Sequence, residues 1–383
     1  MNDFQFTIPQ NISFGTGSLT RLPQLIQEVN AKRVFIISDR GLESVGVVET
    51  VSNIITQANI RVDSYLDVLP NPTIEIVNEA TQSYKDSGAS AIIALGGGSP
   101  LDVAKAVGVL ARHGGRVTDY EGANKVPGAI EPIIAIPTTA GTGSEVTPFS
   151  VITDEAHNHK LTIFSNEVLP AYALLDPELI MTAPSGVAAA CGIDAMIHAW
   201  EAYTSRAANP FTDAMAEKAL DLIGGNIRRF VANRQDQEAA EAMMAGSTFA
   251  GIAFAWARLG NVHAMSHPVS GFFHVAHGVA NAILLPTIVE YNAIADRGQY
   301  RRIYRYIREV RHQPIVDFKP QVLVDEVRKL LRDLGMPTTL SEVGVTEDKI
   351  EAMADDAMTS GNIVLNPRTT TRDDVIALYR KAL

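Results

Sequence analysis

The sequence predicts an α/β domain with a parallel sheet, followed by an all-helical domain. In the first half, four short runs rich in Val and Ile alternate with helical patterns, which is typical of parallel β-α-β units. In the second half, apolar residues recur at three and four positions and β-branched alternation is almost absent, which indicates helices. At 383 residues the chain exceeds the size at which a single core stops growing, so we expect two domains.

The elements follow in chain order. The predicted strands cover residues 33–39, 60–68, 89–99 and 131–139, and the helical patterns among them are TRLPQLIQEV, TIEIVNEATQSYKDSG and PLDVAKAVGVLARHGG. From about Thr182 the chain continues with SGVAAACGIDAMIHAWEAYTS, NPFTDAMAEKALDLIGGNIRRFVAN and DQEAAEAMMAGSTFAGIAFAWARL, all rich in Ala, Met and Leu. Prolines and a serine in DPELIMTAPSG interrupt both patterns, so we place the domains at 1–182 and 183–383.

Composition argues against several classes of protein. The balance of 32 Lys plus Arg against 43 Asp plus Glu gives a net charge of -11, so we expect neither a nucleic-acid nor a membrane partner. No apolar run approaches the roughly 18 to 20 residues that span a bilayer. The start MNDFQFTIPQ lacks the pattern of a secretion signal, and the single Cys191 excludes an internal disulfide, so we expect a cytoplasmic location. Cys191, in the run AAACG, is interpreted as a small buried residue rather than a nucleophile.

A glycine-rich turn predicts an anion site. In IIALGGGSPLDVAKAV an apolar strand runs into three glycines at 96–98, and Ser99 and Pro100 then open a helix. Proline suits the first helical position, and Ser99 with Asp102 fits an N-terminal capping pair. Glycines let the backbone approach a ligand, and the free N–H groups with the helix dipole favour an anion such as pyrophosphate. The alternative is a tight turn that binds nothing.

Two further segments point to the same ligand. PTTAGTGSEVT, at 137–147, carries five hydroxyls and follows the strand EPIIAI, and ligands of open α/β sheets bind at such carboxyl ends. Asp39 ends the strand RVFIISD, where an acidic residue takes the ribose hydroxyls and repels a 2′-phosphate, so we expect NAD rather than NADP. Asp39 precedes the glycines, whereas in the usual fingerprint the acid follows them by about 20 residues.

A cluster of histidines suggests a metal. Four of the nine histidines lie within residues 261–278, at positions 263, 267, 274 and 277. Asp194 and His198 stand four apart, so on a helix they share one face, which is otherwise apolar, and a carboxylate there needs a partner. One carboxylate and several imidazoles suit a divalent Fe, Zn, Mn or Co, and the absence of cysteine ligands argues against a structural zinc site. The alternative for the Asp194–His198 pair is a surface hydrogen bond.

These motifs resemble the iron-containing (group III) alcohol dehydrogenase family. The resemblance rests on GIDAMIHAWEAYTS, NVHAMSHPVSGFFHVAHGVANAILLP, GGGSPLDVAKA and PTTAGTGSE, and it extends from FGTGSL near the start to GNIVLNPR near the end. It implies a Rossmann-like nucleotide-binding domain, a helical metal-binding domain, and dimers or larger homo-oligomers. It also explains why Asp39 precedes the glycines, because the nucleotide domain of this family has its own strand order.

The resemblance also assigns residues. The metal ligands it implies, for Fe²⁺ with Zn²⁺ or another divalent metal as alternatives, are Asp194, His198, His263 and His277. His267 matches the histidine beside the nicotinamide and substrate, and His274 departs from the family pattern, so we interpret it as lining the pocket or supporting a ligand. The implied contacts to NAD are Asp39, Asn71, Gly96, Gly97, Gly98, Ser99, Asp102, Thr138, Thr139, Thr142 and Lys160.

The implied reaction is hydride transfer between NAD(H) and a short-chain primary alcohol or aldehyde bound to the metal. The metal acts as a Lewis acid, and His267 relays the proton because a neutral imidazole titrates near working pH. Two alternatives stay open: a lyase like dehydroquinate synthase, which needs more basic residues than the helical half offers, and a cofactor-independent metal hydrolase or metal-binding protein.

Arg258 is unusual in this context. Phe254 matches a pocket-lining position of the family, and Arg258 lies one helical turn later, so its guanidinium could pair with an anionic group of the substrate. The alternative, which we favour from the sequence, is that Arg258 pairs with an acidic residue at the surface or an interface.

Overall fold

Short β-branched strands build one parallel sheet in the first part of the chain. The computed structural model describes residues 4, 6–8, 10–156 and 159–383. The sheet has the order β1-β9-β6-β4-β2-β3 and all of its strand pairs are parallel. Its strands are β1 (Asn11–Phe14), β2 (Arg33–Ile37), β3 (Arg61–Tyr65), β4 (Ile92–Gly96), β6 (Ile133–Pro137) and β9 (Tyr172–Leu175).

Helices cover both faces of this sheet. All residues of β4 and β6 are buried, as expected for strands with helices on either side. Two hydrophobic clusters result, one around Phe35 and Tyr84 and the other around Ile36 and Leu95. The helices of this unit are α1 (Leu22–Glu28), α2 (Arg40–Ser44), α3 (Val47–Gln57), α4 (Ile74–Ser87), α5 (Gly98–His113) and α6 (Pro177–Ile180).

A small second sheet is formed by strands that lie before and after β6 in the chain. It consists of β5 (Gly122–Ala123), β7 (Phe149–Asp154) and β8 (His159–Phe164), in the order β5-β8-β7. Strands β7 and β8 are antiparallel, and the predicted strand pattern of the sequence did not include them. They bring Lys160 of β8 into the α/β unit.

The rest of the chain is helical. Its helices are α7 (Ser185–Thr204), α8 (Pro210–Ala232), α9 (Gln237–Ala257), α10 (Asn261–Phe273), α11 (His277–Asn292), α12 (Gln299–Ile307), α13 (Pro320–Asp333), α14 (Ile350–Thr359) and α15 (Arg372–Ala382). The predicted α/β and all-helical parts are confirmed.

The chain divides into two units. The α/β unit comprises Ile8–Thr139 and Gly143–Ala183, and the helical unit comprises Pro184–Leu383 with two short segments, residues 1–7 and Ala140–Thr142. These bounds differ from a single cut between residues 182 and 183 because the two short segments lie far from position 183 in the sequence. No local pattern in either segment indicated this grouping.

One helix of the helical unit corrects an expectation from the sequence. The run His277–Ala295 is long and apolar enough by composition to cross a membrane, whereas no such run was expected. However, 56% of this window is buried inside the protein. A helix that is apolar on all sides also suits the centre of a helical unit, so we interpret α11 as a core helix.

Candidate active site

Three strands of the parallel sheet end side by side at the predicted nucleotide site. Ile37 of β2 pairs with Ala94 of β4, so two residues further on Asp39 and Gly96 are level with one another. Gly96 also pairs with Pro137 of β6, and the N–H of Thr138 donates to the Gly96 carbonyl over 3.0 Å. The edge therefore brings together five further predicted residues, Gly97, Gly98, Ser99, Thr138 and Thr139, with Asp39 and Gly96.

The N-terminus of α5 faces this edge without a side-chain cap. The helix begins at Gly98, and its N-cap residue, Gly97, has no side chain that could accept from the first N–H groups. The predicted capping pair of Ser99 and Asp102 is therefore wrong, because the helix starts two residues before Pro100. An uncapped helix N-terminus preceded by glycine is suited to a phosphate group.

Asp102 instead joins a polar cluster below the helix start. Its carboxylate accepts hydrogen bonds from Ser144 Oγ over 2.8 Å and from the Val151 N–H over 3.2 Å. Burial raises the pKa of Asp102, although the nearby cation of Lys105 opposes this shift. Lys160 Nζ donates to Asn71 Oδ1 over 2.9 Å, and burial lowers the pKa of Lys160 against the attraction of Asp102. Asn71, Asp102 and Lys160 thus lie in one neighbourhood, as the resemblance implied.

Lys105 completes this cluster, and the sequence did not single it out. It is fully buried, and its Nζ donates to Ser144 Oγ over 2.9 Å, the Thr147 carbonyl over 2.9 Å and the Phe149 carbonyl over 2.7 Å. Burial lowers the pKa of Lys105 to about 8, with Asp102 and Glu145 acting in the opposite direction. The lysine therefore ties α5 to the segment that follows β6.

Two predicted nucleotide residues have additional structural roles. The Asp39 carboxylate accepts from the Leu42 N–H over 3.0 Å and so caps α2. Thr142 belongs to the segment Ala140–Thr142, which groups with the helical unit. Thr142 therefore lies outside the α/β unit, which carries the other predicted NAD contacts.

In the helical unit, three helices bring a carboxylate and three imidazoles together. Asp194 and His198 lie on α7, His263 on α10 and His277 at the start of α11. The ligand-type atoms of Asp194, His263 and His277 all lie within 4.8 Å of one another. The distances from Asp194 Oδ1 to the Nε2 atoms of the histidines are 3.8 Å for His198, 3.6 Å for His263 and 3.7 Å for His277. These are the four residues predicted as metal ligands.

A close helix contact places His277 in the cluster. At Gly278, the residue after His277, an added Cβ would lie 2.4 Å from the Ala190 carbonyl of α7. Only glycine permits this approach, because any side chain would push α11 away from α7. The short separation carries His277 toward Asp194, one helical turn along α7 from Ala190.

In His198 and His263, the ring nitrogen that does not face Asp194 is hydrogen-bonded to another residue. His198 Nδ1 lies 3.2 Å from the Gly141 carbonyl oxygen, which can only accept, so Nδ1 donates. His263 Nδ1 donates to Glu201 Oε2 over 2.7 Å. Both histidines, when neutral, therefore present the lone pair of Nε2 toward Asp194. This orientation by a second partner is typical of metal-binding histidines.

The side-chain amide of Asn281 lies at the place toward which these lone pairs are directed. Its Nδ2 donates to Asp194 Oδ1 over 2.6 Å and lies 3.2 Å from His263 Nε2 and 3.1 Å from His277 Nε2. The amide hydrogens of Asn281 carry partial positive charge. They lie where three acceptor atoms converge: Asp194 Oδ1, His263 Nε2 and His277 Nε2. Asn281 Oδ1 is buried and has no hydrogen-bond partner among the residues that the structure describes. Converging nitrogen and carboxylate acceptors are the donor set of a divalent transition metal, so these residues fit such an ion.

The ionisable groups of the cluster shift one another's pKa. Burial disfavours charge on Asp194, but the surrounding imidazoles outweigh it and lower the pKa of this carboxyl. Burial lowers the pKa of His198 to about 4 against the attraction of Asp194. Burial acts likewise on His263, but its hydrogen bonds to Asp194 and Glu201 prevail and raise its pKa to about 9. A cation at His263 Nε2 therefore replaces a proton.

The other two histidines of the cluster region differ from the predicted ligands. His267 is partly exposed, and its ring centroid lies 6.3 Å from that of His263 and 5.3 Å from that of His277. It is thus beside the predicted ligands, where the resemblance put a proton carrier. His274 is exposed and ends α10 with a left-handed backbone at φ 55°. Its departure from the family pattern coincides with a helix cap, and pocket lining is not supported.

The motif GNIVLNPR, late in the sequence, contacts the first turn of α10, the helix that carries His263. Asn366 is buried and its Oδ1 accepts from the Asn261 N–H, at the first residue of α10, over 3.3 Å. Asn292 and Asn366 also exchange reciprocal amide hydrogen bonds of 3.0 and 2.8 Å. Further along α10, Tyr379 of α15 donates its hydroxyl to the Met265 carbonyl over 2.6 Å. Residues at the end of the chain therefore fix the helix that carries His263.

Three functional residues of the helical unit were missed from the sequence: Glu201, Asn281 and Gly141. Glu201 follows Asp194 by seven residues and His198 by three, so it shares their helix face, and Asn281 follows His277 by four. These spacings were available as signals. The role of Gly141 was not, since its carbonyl reaches His198 only through the fold.

Comparison with known proteins identifies the family. A model described as iron-containing alcohol dehydrogenase matches residues 9–177, and one described as the C-terminal part of the Fe-containing alcohol dehydrogenase family matches residues 188–383. The chain is 35% identical over 378 residues to the NAD-dependent methanol dehydrogenase of Bacillus methanolicus, covering 99% of both chains. It is 38% identical over 375 residues to the lactaldehyde reductase of Escherichia coli K12, covering 96% of this chain and 97% of that one.

The solved structures agree. The crystal structure of a 1,3-propanediol oxidoreductase superposes with a TM-score of 0.96 at 34% identity, and all of both chains is covered. These matches favour neither a lyase nor a hydrolase, the two alternatives left open by the sequence. The chain belongs to the iron-containing alcohol dehydrogenase family and is an oxidoreductase that acts on CH–OH groups.

Proposed function

We propose that the protein interconverts a short-chain primary alcohol and its aldehyde, with NAD(H) as the redox partner and a divalent metal, Fe²⁺ first among the candidates, at Asp194. The observation that carries this proposal is the convergence of three histidine Nε2 atoms to within 3.8 Å of one carboxylate oxygen. Such a donor set, with no cysteine, suits a catalytic site better than a closed structural one. The ligands we propose are Asp194, His198, His263 and His277.

Each ligand residue has a defined task. Asp194 supplies negative charge, His198 and His263 are held in the tautomer that leaves Nε2 free, and His277 completes the set from α11. When bound, the metal polarises the substrate C–O group and the nicotinamide supplies or accepts the hydride. His267 lies beside the ligand set without belonging to it, so we assign it the proton that the substrate oxygen gains or loses.

The α/β unit is proposed to bind NAD through its backbone and hydroxyl groups. The uncapped N-terminus of α5 would receive the pyrophosphate, with Gly96, Gly97, Gly98 and Ser99 around it and Thr138 and Thr139 beside them. Asp39 would accept from the ribose hydroxyls and disfavour a 2′-phosphate. We keep Asn71, Asp102, Thr142 and Lys160 as further contacts, of which Asp102 and Lys160 also stabilise the polar cluster around Lys105.

The proposal is tested by following NADH oxidation in the presence of short aldehydes. Purified protein freed of metal with a chelator, and then supplied with Fe²⁺, Zn²⁺ or Co²⁺, is assayed with acetaldehyde, propanal and lactaldehyde under anaerobic conditions. We expect activity only after a metal is restored. Equal activity of the metal-free and metal-loaded protein, or NADH oxidation with none of these aldehydes, would contradict the proposal.

The named relatives act on different small molecules, so the choice of substrate needs a separate test. Phe254 stacks on the ring of His198, with centroids 4.4 Å apart, so this part of α9 lies beside a proposed metal ligand. Arg258 ends the same helix with φ 60° and ψ −168°, a backbone region that is essentially restricted to glycine. Burial lowers the pKa of its guanidinium. A half-buried cation in a strained backbone supports the hypothesis that it receives an anionic substrate group.

The hypothesis predicts a change in substrate ratio. Succinic semialdehyde and propanal are compared as substrates of the wild type and of Arg258→Ala. If Arg258 binds the carboxylate, the wild type prefers the semialdehyde and the variant loses this preference by about tenfold or more. An unchanged ratio means that Arg258 has a structural role and that neutral aldehydes are the substrates.

We further propose a cytoplasmic enzyme that forms a homodimer or a larger homo-oligomer. The single Cys191, which cannot form an internal disulfide, supports the location, and the family resemblance supports the assembly. Light scattering of the purified protein tests the second point, and a monomeric mass at micromolar concentration would contradict it.

A further inference from the structure

We propose that Glu201 is a positioning residue that fixes His263 for metal binding. This inference rests on the proposed metal centre and adds to it a residue that does not touch the metal. Glu201 lies on α7, one turn beyond His198 and two turns beyond Asp194, so the helix that supplies two ligands would also orient a third on α10.

The Glu201 carboxylate binds both the side chain and the backbone at the start of α10. Its Oε2 accepts from His263 Nδ1 over 2.7 Å and from the Gly260 N–H over 3.0 Å. Its Oε1 accepts from the Val262 N–H over 2.7 Å. One carboxylate therefore sets the position of the helix N-terminus and the rotation of the imidazole together.

This arrangement also explains how a buried charge is tolerated. Glu201 is only 4% exposed, and among the described residues its ion pair is with His263. A buried carboxylate is unfavourable unless it is paired and hydrogen-bonded. Here the N–H groups and the dipole of the 13-residue helix α10 favour a negative charge at its N-terminus. Burial is thus compensated by the same groups that Glu201 positions.

The consequence for His263 is a defined tautomer and direction. With its Nδ1 hydrogen committed to Glu201, the neutral ring directs the Nε2 lone pair toward Asp194 Oδ1, 3.6 Å away. A carboxylate on the far nitrogen also makes the imidazole a stronger donor to a metal. Without Glu201, the ring could rotate or carry its hydrogen on Nε2, and either change removes a ligand.

Gly260 and Asn366 keep this contact short. A Cβ on Gly260 would lie 3.0 Å from Glu201 Oε1 and 3.1 Å from Asn366 Oδ1, so glycine permits the approach of both groups. Asn366 accepts from the next residue, Asn261. The motif GNIVLNPR, which had no assigned role in the sequence, therefore acts with Glu201 to hold the first turn of α10.

The test compares Glu201→Gln with the wild type in binding Co²⁺. Glutamine has the size of glutamate but only one acceptor oxygen and no charge. His263 Nδ1 therefore loses either its partner or the carboxylate charge that makes the ring a stronger metal donor. The metal-free full-length proteins are titrated with Co²⁺, and the visible absorption of the bound ion reports both affinity and ligand geometry. We expect about 10- to 100-fold weaker binding and an altered absorption spectrum for Glu201→Gln.

A matched control separates this effect from the general loss of a buried carboxylate. Glu217, on α8, is a partly buried carboxylate that accepts hydrogen bonds from the Tyr203 hydroxyl and from Arg302. Glu217→Gln should keep the affinity and spectrum of the wild type. If Glu201 only capped α10, Glu201→Gln would lower the melting temperature of the metal-free protein and leave the Co²⁺ spectrum unchanged, which would overturn the proposal.

Two further proteins keep the test decisive. If Glu201→Gln loses its helical circular dichroism, Glu201→Asp is tested in its place. Aspartate retains the charge but is one methylene too short to reach both partners. Wild-type Co²⁺ affinity and spectrum in Glu201→Asp would equally overturn the proposal. Asp194→Ala is titrated in parallel. If it binds Co²⁺ as tightly as the wild type, the metal centre is wrong, whereas loss in Asp194→Ala with retention in Glu201→Gln rejects only the role of Glu201.

Discussion

The two candidate binding regions differ in the atoms that bind. At the end of the parallel sheet, backbone N–H groups and hydroxyls around Gly96 and Thr138 form the site, and no side chain caps α5. In the helical unit, the site consists of ionisable side chains, and His198 and His263 each have a second partner that fixes the ring. The first region depends on the absence of side-chain atoms, and the second depends on the identity and orientation of side chains.

This difference predicts opposite sensitivities to mutation. A site made of backbone tolerates changes of side-chain chemistry but not an added carbon where the ligand must approach. A site made of side chains fails when one functional group is replaced, even by a group of the same size. The variants below examine this contrast, beginning with the largest expected effect.

Removal of a proposed ligand should abolish metal binding and activity together. In Asp194→Ala or His263→Ala, one of four ligands is lost, so we expect turnover to fall on the order of a thousandfold or more. Metal content is measured by elemental analysis beside the NADH assay. His267→Ala should instead keep its metal and lose about a hundredfold in turnover. Full metal occupancy in both ligand variants would show that the ligand set is wrong.

Two neighbouring glycines should separate binding from folding at the other site. Gly97 has a backbone conformation open to alanine, and an added Cβ would meet Thr139 Oγ1 at 3.4 Å, an ordinary contact. We expect Gly97→Ala to fold normally but to bind NADH about tenfold more weakly, or about 1.4 kcal/mol, because the Cβ obstructs the phosphate.

Gly96→Ala is the matched variant with the reverse outcome. Gly96 has φ 151°, and an added Cβ would lie 2.6 Å from the Pro100 ring. The free energy of unfolding should fall by about 1 to 3 kcal/mol. Urea unfolding and NADH fluorescence titration measure the two effects. If both variants lose stability equally and Gly97→Ala binds NADH normally, the turn is structural and does not bind phosphate.

Replacement of Asp39 tests whether a side chain adds specificity to the backbone site. Asp39→Asn keeps an oxygen that can accept from the Leu42 N–H and cap α2, but removes the charge that would repel a 2′-phosphate. We expect the preference for NADH over NADPH, as a ratio of kcat/KM values, to fall about tenfold. A wild type that uses NADPH as efficiently as NADH would contradict this role at once.

The smallest expected effect concerns stability and pH in the helical unit, at Asp213 of α8. Burial and the nearby Glu217 raise the pKa of Asp213 to about 6, and its Oδ1 has no hydrogen-bond partner among the described residues. A raised carboxyl pKa means that the folded state binds the proton more tightly than the unfolded state. Stability should therefore fall as the pH rises from about 4 to 6, and it should not recover above that range.

Asp213→Asn removes this titration. At pH 7.5 the variant should melt a few degrees higher than the wild type, and the difference should vanish near pH 4, where the wild-type carboxyl is protonated. Melting curves at the two pH values provide the measurement. A variant that is less stable than the wild type at pH 7.5 would mean that the ionised carboxylate is stabilised by contacts other than those described.

Much of this arrangement was predictable because some signals are local in sequence. Spacing of four placed Asp194 and His198 on one helix face, and the family motif added His263 and His277. Alternation of strands and helices predicted a parallel sheet, since that pairing follows from the connections. The strand order was not predictable, because nothing in Arg33–Ile37 states that it lies between β3 and β4.

The missing residues act through tertiary contacts. Glu201 can bind His263 only when the N-terminus of α10 packs against α7. Lys105 can bind Ser144 only when the segment after β6 folds over α5. The predicted capping pair of Ser99 and Asp102 was wrong because α5 already begins at Gly98, and Asp102 has another partner. A partner distant in sequence, Ser144, competes for the Asp102 carboxylate, and capping rules consider only neighbours.

The bond between Tyr379 and the helix of His263 has a consequence for how the protein is made on the ribosome. Asp194 is synthesised roughly 185 residues before Tyr379, which at about 5 to 20 residues per second separates them by about 10 to 40 seconds. During this interval the α/β unit has already been synthesised, whereas α10 still lacks the contacts of its Met265 carbonyl and of Asn261 to the end of the chain. If the four proposed ligands bind the metal, we expect metal capture to follow the synthesis of α15, because a ribosome that stalls before Tyr379 leaves the helix of His263 without these contacts.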